Sequence, residues 1–254
     1  MPFGCRRSII GGVDCMRFAM DKLIAGAAEL GIRLDDQQAD RFRLYYEELV
    51  DWNRRVNLTS VVDYEDVQVR HFLDSLTAAP LVGNESSRVI DIGSGAGFPG
   101  VPLKIVFPDI ALTLVESVNK KAVFLRHLVD CLGLDGVEVA AVRAETLAHD
   151  GRYRERYDIA ISRGVAALST LAELSLPFCA VGGRFIAMKK GEIDGEIASS
   201  AKAIEALGGK LAEVRPVDIA EFAGERRSLV VIDKLEPTPG KYPRRPGMPR
   251  KRPL

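Results

Sequence analysis

The chain has 254 residues, 47% of them apolar and 28% charged, with 35 basic residues against 35 acidic ones. That size fits one large α/β domain with a small attachment, and no apolar run reaches the roughly 18 to 20 residues that cross a bilayer. The start, MPFGCRRSIIGGVDC, lacks the sustained apolar core of a secretory signal, so a cytoplasmic protein is expected, and the zero net charge argues weakly against a nucleic-acid partner.

Residues 1–15 show little periodicity and are expected to be poorly ordered, with Met16 and Met20 as alternative translation starts. The segment 1–82 reads as an N-terminal extension and a helical cap. Asp35 or Asp36 can cap a helix whose apolar side carries Phe42, Tyr45, Leu49 and Trp52 at helical spacing. NRRVNLTS (53–60) interrupts it with residues that favour turns. A further helix carries Val67, His71, Leu73, Leu76 and Ala79 and should end near Pro80.

From 83 to 235 short apolar runs alternate with amphipathic stretches, the pattern of a Rossmann-like, doubly wound α/β fold with a mainly parallel sheet. The runs are VIDI (89–92), ALTLVE (111–116), VEVAAVR (137–143), YDIAISR (157–163) and GGRFIAMKK (182–190). Helices are expected over 101–106, 117–132, 165–176 and 193–207. The last two runs, 210–219 and 226–235, are joined by AEFAGE, too short for a crossover helix, and should pair antiparallel to finish the sheet. In the tail 236–254, Glu236 is the only acid among Lys241, Arg244, Arg245, Arg250, Lys251 and Arg252, with six prolines between them. Such a segment should be an extended, solvated arm, either solubilising or touching phosphates. The four cysteines form no CxxC pair and show no histidine at metal spacing; they read as reduced thiols, with Cys131 and Cys179 in apolar surroundings and no metal site.

Asp91-Ile-Gly-Ser-Gly-Ala-Gly-Phe-Pro-Gly100 follows a buried strand and opens a helix. Its glycines allow close approach of a ligand to the backbone. Dinucleotide enzymes share the GxGxxG spacing, and Glu116, at the end of the next strand, suits ribose hydroxyls in either class. Phe98-Pro99 at the helix entrance is poorly suited to a pyrophosphate, which wants that terminus open. A zwitterionic amino acid with a sulfonium needs less of it. Ala144-Glu145, past the third strand, can meet an adenine edge, although Glu145 alone would more often be a helix-starting acid.

Several strings together carry a resemblance: NLTS (57–60), RHFLDS (70–75), DIGSGAGFPGVPLKIV (91–106), KKAVFLRH (120–127), RAE (143–145), ISR (161–163), AMK (187–189) and GERRSLVVI (224–232). They resemble the small-subunit rRNA guanine-N7 methyltransferases, also called glucose-inhibited division protein B, along nearly the whole chain. The resemblance implies a class I methyltransferase fold and S-adenosyl-L-methionine held by Gly93, Gly95, Phe98, Glu116, Ala144, Glu145 and Arg163. It also implies one guanine in 16S rRNA as target, in naked RNA, in the small ribosomal subunit or in an assembly intermediate. The family lysine aligns with Lys189; Lys190 follows it, and which of the two faces the site stays open.

Guanine N7 offers a lone pair without deprotonation, so alignment of nucleophile, methyl carbon and sulfur is the main requirement. The position that holds an Asn-Pro-Pro-aromatic string in amine methyltransferases, or a cysteine in carbon-5 enzymes, reads Ser162-Arg163-Gly164. His71, Asp74 and Ser75 share one helix face. With Asn57 they are expected to overhang the methyl donor, although His71 can also be a satisfied structural histidine. His71, Asp74, Arg163 and Lys189 are the catalytic candidates. Asn57, Lys189, Arg226, Arg244 and Arg245 are the RNA-binding ones. A monomer is expected. A small-molecule or protein methyltransferase, a sensor without turnover and a nucleotide-dependent oxidoreductase are the other readings.

Overall fold

The computed structural model describes residues 19–83, 87–164 and 166–254. The expectations for residues 1–15, for a start at Met16 and for a helix beginning at Val165 fall outside these residues.

Helix α1 (Asp21–Glu29) and helix α2 (Asp36–Val56) open the cap. Asp35 caps α2: its side chain accepts the Gln38 amide while the Gln38 side chain accepts the Asp35 amide, a reciprocal box that satisfies two terminal donors. Phe42, Tyr45 and Leu49 are its buried stripe. Asn57, at φ 54°, ends it in the left-handed region. After the NLTS turn come α3 (Tyr64–Val67), a π-helical stretch (Gln68–Leu73) and α4 (Asp74–Leu76), without an intervening loop. Pro80 opens the short α5 (Ala79–Val82) and does not end a helix there, since a first-turn proline has no partner to lose.

Seven strands follow: β1 (Arg88–Ile92), β2 (Ala111–Val115), β3 (Val137–Ala140), β4 (Tyr157–Arg163), β5 (Cys179–Lys190), β6 (Gly209–Pro216) and β7 (Arg227–Lys234). They form one sheet in the order β3-β2-β1-β4-β5-β7-β6. The first five are mutually parallel, and β7 enters antiparallel between β5 and β6. The intervening helices are α6 (Gly100–Val106), α7 (Asn119–Leu132), α8 (Ala144–Leu147), α9 (Leu168–Ser175) and α10 (Asp194–Ala206). Gly133, at φ 59°, closes α7.

Strand alternation divides the core in two. Ile159, Ile161, Ile186, Met188, Leu229 and Val231 face the cap with α6 and α7. Ala160, Phe185, Ala187, Val230 and Ile232 face the side of α9 and α10.

The tail departs from the expected solvated arm. It folds back on α8 and α9 and ends in a short α11 (Met248–Lys251). Its proline-rich backbone lacks ladder donors, so its carbonyls are satisfied by side chains of the domain. Arg154 donates to the carbonyls of Tyr242 and Thr238 at 2.9 and 2.7 Å, and Thr170 Oγ1 to that of Pro249 at 3.1 Å. The Arg244 guanidinium forks onto Glu173, a carboxylate with no exposed surface.

Candidate active site

The glycines of the loop after β1 divide by physical role. Gly93 and Gly95 have φ of 76° and 59°, and a Cβ at Gly93 would meet nothing within 4 Å. Gly97 and Gly100 are packing glycines: a Cβ at Gly97 would lie 2.6 Å from the Tyr45 hydroxyl, and one at Gly100 2.8 Å from Leu114. The open pair is where a ligand can approach the main chain. The packed pair lets α2 and the sheet close on the loop, with the Tyr45 hydroxyl donating to the Ala96 carbonyl at 2.6 Å.

Three carboxylates mark the carboxyl ends of β1, β2 and β3. Asp91 is fully buried, and its Oδ2 accepts the Gly100 amide at 2.9 Å. Burial pushes its pKa up to about 8, against the opposing pull of that amide and of Arg163. Among the described residues its Oδ1 has no hydrogen-bond partner. Glu116 accepts the amides of Gly95 at 3.0 Å and Val118 at 2.7 Å, so it is oriented in advance. Glu145, beside Ala144 at the start of α8, accepts the Gly247 amide of the tail at 2.8 Å.

Above the loop sits a stacked assembly. The Phe98 ring lies between Tyr45 (centroids 5.3 Å apart) and His71 (4.6 Å), both near parallel, and the Arg163 guanidinium is 4.8 Å from its centroid. Asp74, 6% exposed, accepts Arg163 Nη1 on Oδ2 at 2.9 Å and Arg227 Nη1 on Oδ1. One cap carboxylate therefore bridges two arginines of the sheet, and Arg227 has Glu225 as a second acidic partner. Arg227 is itself 4% exposed and lies 3.8 Å over the Phe222 ring. His71 Nε2 is 2.8 Å from Thr59 Oγ1, while its Nδ1 lies 3.1 Å from the Arg70 carbonyl and 3.3 Å from Arg163 Nη2. Burial, then the Arg163 charge, draws its pKa down to about 4, so the imidazole is neutral at physiological pH.

The two lysines at the end of β5 part company. Lys189 turns to the α10 side, donating to Glu196 at 2.7 Å and to the Ala166 carbonyl at 3.0 Å. Lys190, one residue on, turns to the cap side. Burial draws its pKa down, with Asp74 opposing and Arg227 and Arg163 adding to the fall. Arg226 is exposed and paired with Glu192. Asn57 is exposed at the end of α2, and Arg245 is exposed in the tail. Arg244, by contrast, is committed to Glu173.

Comparison with known proteins decides the family. The family described as GidB, rRNA small subunit methyltransferase G, matches residues 38–229. A protein of Roseiflexus castenholzii named ribosomal RNA small subunit methyltransferase G is 51% identical over 235 residues, covering 92% of this chain and all of its own. Its namesake in Dehalococcoides mccartyi is 49% identical, covering 92% of this chain and all of its own, and that of Staphylococcus carnosus 45%, covering 91% and 97%. The chain belongs to this family. Solved structures add the fold: MtNAS with S-adenosylmethionine has a TM-score of 0.52 at 17% identity, covering 87% of this chain and 88% of its own. A 16S rRNA (adenine-N1)-methyltransferase of Catenulisporales acidiphilia, with its cosubstrate, has 0.51 at 12%, covering 65% and 93%. The fold is that of the class I methyltransferases, and S-adenosylmethionine is the group that both of these neighbours hold. The site fits that group: an open glycine pair, an oriented carboxylate on β2 and an orphaned buried oxygen of Asp91 surround one backbone turn.

Of the residues read from sequence, Gly93, Gly95, Glu116, Ala144 and Glu145 line the carboxyl edge of the sheet, and Phe98, His71, Asp74 and Arg163 meet in one assembly. Lys189 stands apart from that assembly, on the other face of the sheet. Arg227 is not among the residues the sequence singles out, and the choice between Lys189 and Lys190 stays open there; alternation settles both. Leu229 and Val231 put Arg227 on the cap face, as Ile186 and Met188 put Lys190 there.

Proposed function

We propose that this chain methylates N7 of one guanine in 16S rRNA, using S-adenosylmethionine, and that it does so in the cytoplasm as a monomer acting on the small subunit or an assembly intermediate. The observation that carries this reading is the family match from residue 38 to 229, which spans both the cap and the cofactor loop. No helix of the described residues is long and apolar enough to cross a membrane.

The bound cofactor supplies an electrophilic methyl group on a sulfonium. Gly93 and Gly95 let its amino-acid end reach the main chain, Glu116 receives ribose hydroxyls, and Ala144 and Glu145 meet the adenine edge. The stacked His71, Phe98 and Arg163 form the wall against which the guanine is aligned, and Asp74 holds Arg163 in that place. Guanine N7 carries no proton to remove, so a neutral His71 suits the reaction as a hydrogen-bonding wall residue and need not act as a base. Positive charge grows on the base during transfer, and carboxylates and carbonyls nearby favour it.

The test is transfer of labelled methyl from S-adenosylmethionine to 16S rRNA, naked and in 30S particles lacking native modification, with the modified base mapped. Label at one guanine N7 supports the reading. Cofactor binding with no label on either RNA form overturns it and favours a small-molecule substrate or a sensor.

A further inference from the structure

The expectation that no histidine lies at metal spacing from a cysteine does not hold on α7. His127 and Cys131 are four residues apart on that helix, which places them on one face. Glu48 of α2 reaches the same point from the cap: the ligand atoms of all three residues lie within 4.8 Å of one another.

Two uses of such a trio can be told apart by geometry. In a nucleophile–base–acid relay the acid holds one imidazole nitrogen and the thiol meets the other. Here the acid holds His127 Nε2 at 2.6 Å, while Cys131 Sγ lies beside the ring, 3.5 Å from Nε2 and 3.9 Å from Nδ1, and is aimed at neither nitrogen. No relay is set up, whereas three donor atoms within 4.8 Å of one another have the spread of a metal-ligand set. We propose that Glu48, His127 and Cys131 form a binding site for a thiophilic divalent cation of the zinc class, bridging the cap helix α2 to α7.

The Nε2–Sγ separation suits it once the Cys131 side chain turns its sulfur toward the Nε2 axis. Zinc bonds of about 2.0–2.1 Å to nitrogen and about 2.3 Å to sulfur, at a tetrahedral angle, separate the two donors by about 3.5 Å, the separation found here. The Nε2–Oε2 distance is that of a hydrogen bond. A cation replacing the shared proton opens it to about 3.4 Å, a movement available to a glutamate side chain that is 17% exposed. A mixed nitrogen, sulfur and carboxylate set selects zinc over calcium or magnesium, which want oxygen alone. Trp52, one turn after Glu48 on α2, packs its ring 5.0 Å from that of His127 and fixes the imidazole. Helix α2 also carries Tyr45, whose hydroxyl holds the cofactor loop at Ala96, so a cation at this point secures the element that roofs the loop.

The test uses the full chain, stripped with a chelator and titrated with cobalt(II), then zinc(II). One equivalent of cobalt should give a thiolate-to-metal absorption band in the near ultraviolet and change the fluorescence of Trp52, the only tryptophan; zinc should abolish the band. Cys131→Ser should remove the band, and His127→Gln and Glu48→Gln should each weaken binding at least about tenfold. A Cys5→Ser/Cys15→Ser double variant should keep the full signal. Far-ultraviolet circular dichroism establishes that each variant folds, with Cys131→Ala replacing any that does not. A wild-type chain with no saturable band, or a band that survives loss of Cys131, overturns the proposal.

Discussion

Arg163 ends β4 with three partners already chosen: the Asp74 carboxylate, the Arg70 carbonyl and the face of Phe98. A guanidinium so held is a fixed wall, and lysine reproduces neither its fork nor its stacking plane. Arg163→Ala, and to a lesser degree Arg163→Lys, should lower kcat/KM for methyl transfer by about 100-fold, the scale of loss from a misplacement of about 1 Å; unchanged turnover on 16S rRNA would refute the role. Asp91 makes a separate prediction. Its pKa rises on folding from 3.8 to about 8. Between those values the native state keeps a proton that the unfolded chain releases, so stability falls as pH rises across that window. Asp91→Asn keeps an oxygen for the Gly100 amide and removes the buried charge. Its stability relative to wild type should increase steadily from pH 5 to pH 8 in urea unfolding, and a gap that stays constant counts against the burial argument.

Among the elements, those with a repeating pattern were legible and those ordered by distant partners were not. The strand runs and α7 follow from alternation and helical spacing, and the short AEFAGE connection from chain length alone. The tail was misread because its composition, proline and cationic residues, is that of a solvated arm. What orders it is the other end of each contact: Glu173, buried in α9, and Arg154 and Glu145, which no local pattern in 236–254 reveals. The choice between Lys189 and Lys190 stays open in the sequence for a different reason. A string match aligns a residue but does not say which sheet face it takes. The tail contact is testable through the fully buried Glu173 carboxylate. Arg244→Ala removes the counter-ion of the Glu173 carboxylate and leaves it the amide of residue 244, which should cost about 3–5 kcal/mol. Glu173→Gln in the same chain should restore much of that loss, since a neutral amide tolerates burial better. Equal destabilisation by the single and double variants in denaturant titration would show that tail packing, and not the stranded charge, sets the effect.

Across the whole molecule a net charge of zero conceals an uneven distribution. The folded tail pairs Arg244 with Glu173 but leaves Arg245, Arg250, Lys251 and Arg252 exposed, and the Gly247 amide ties that segment to Glu145, past the carboxyl end of β3. The cationic stretch is therefore anchored at the carboxyl edge of the sheet, beside the proposed cofactor site, which supports phosphate contact over mere solubility. Each phosphate neutralised on single-stranded RNA contributes about 0.7 to the slope of log affinity against log salt. Replacing Arg245, Arg250 and Lys251 together by glutamine should reduce that slope by about 2, weakening binding more at low salt than at high. Lys210→Gln, on the far edge strand β6, should leave the slope alone. If the triple variant keeps the wild-type slope in filter binding to 16S rRNA fragments, the tail serves the fold through Glu173 and Arg154, and the RNA is held from Lys190 and Arg226 instead.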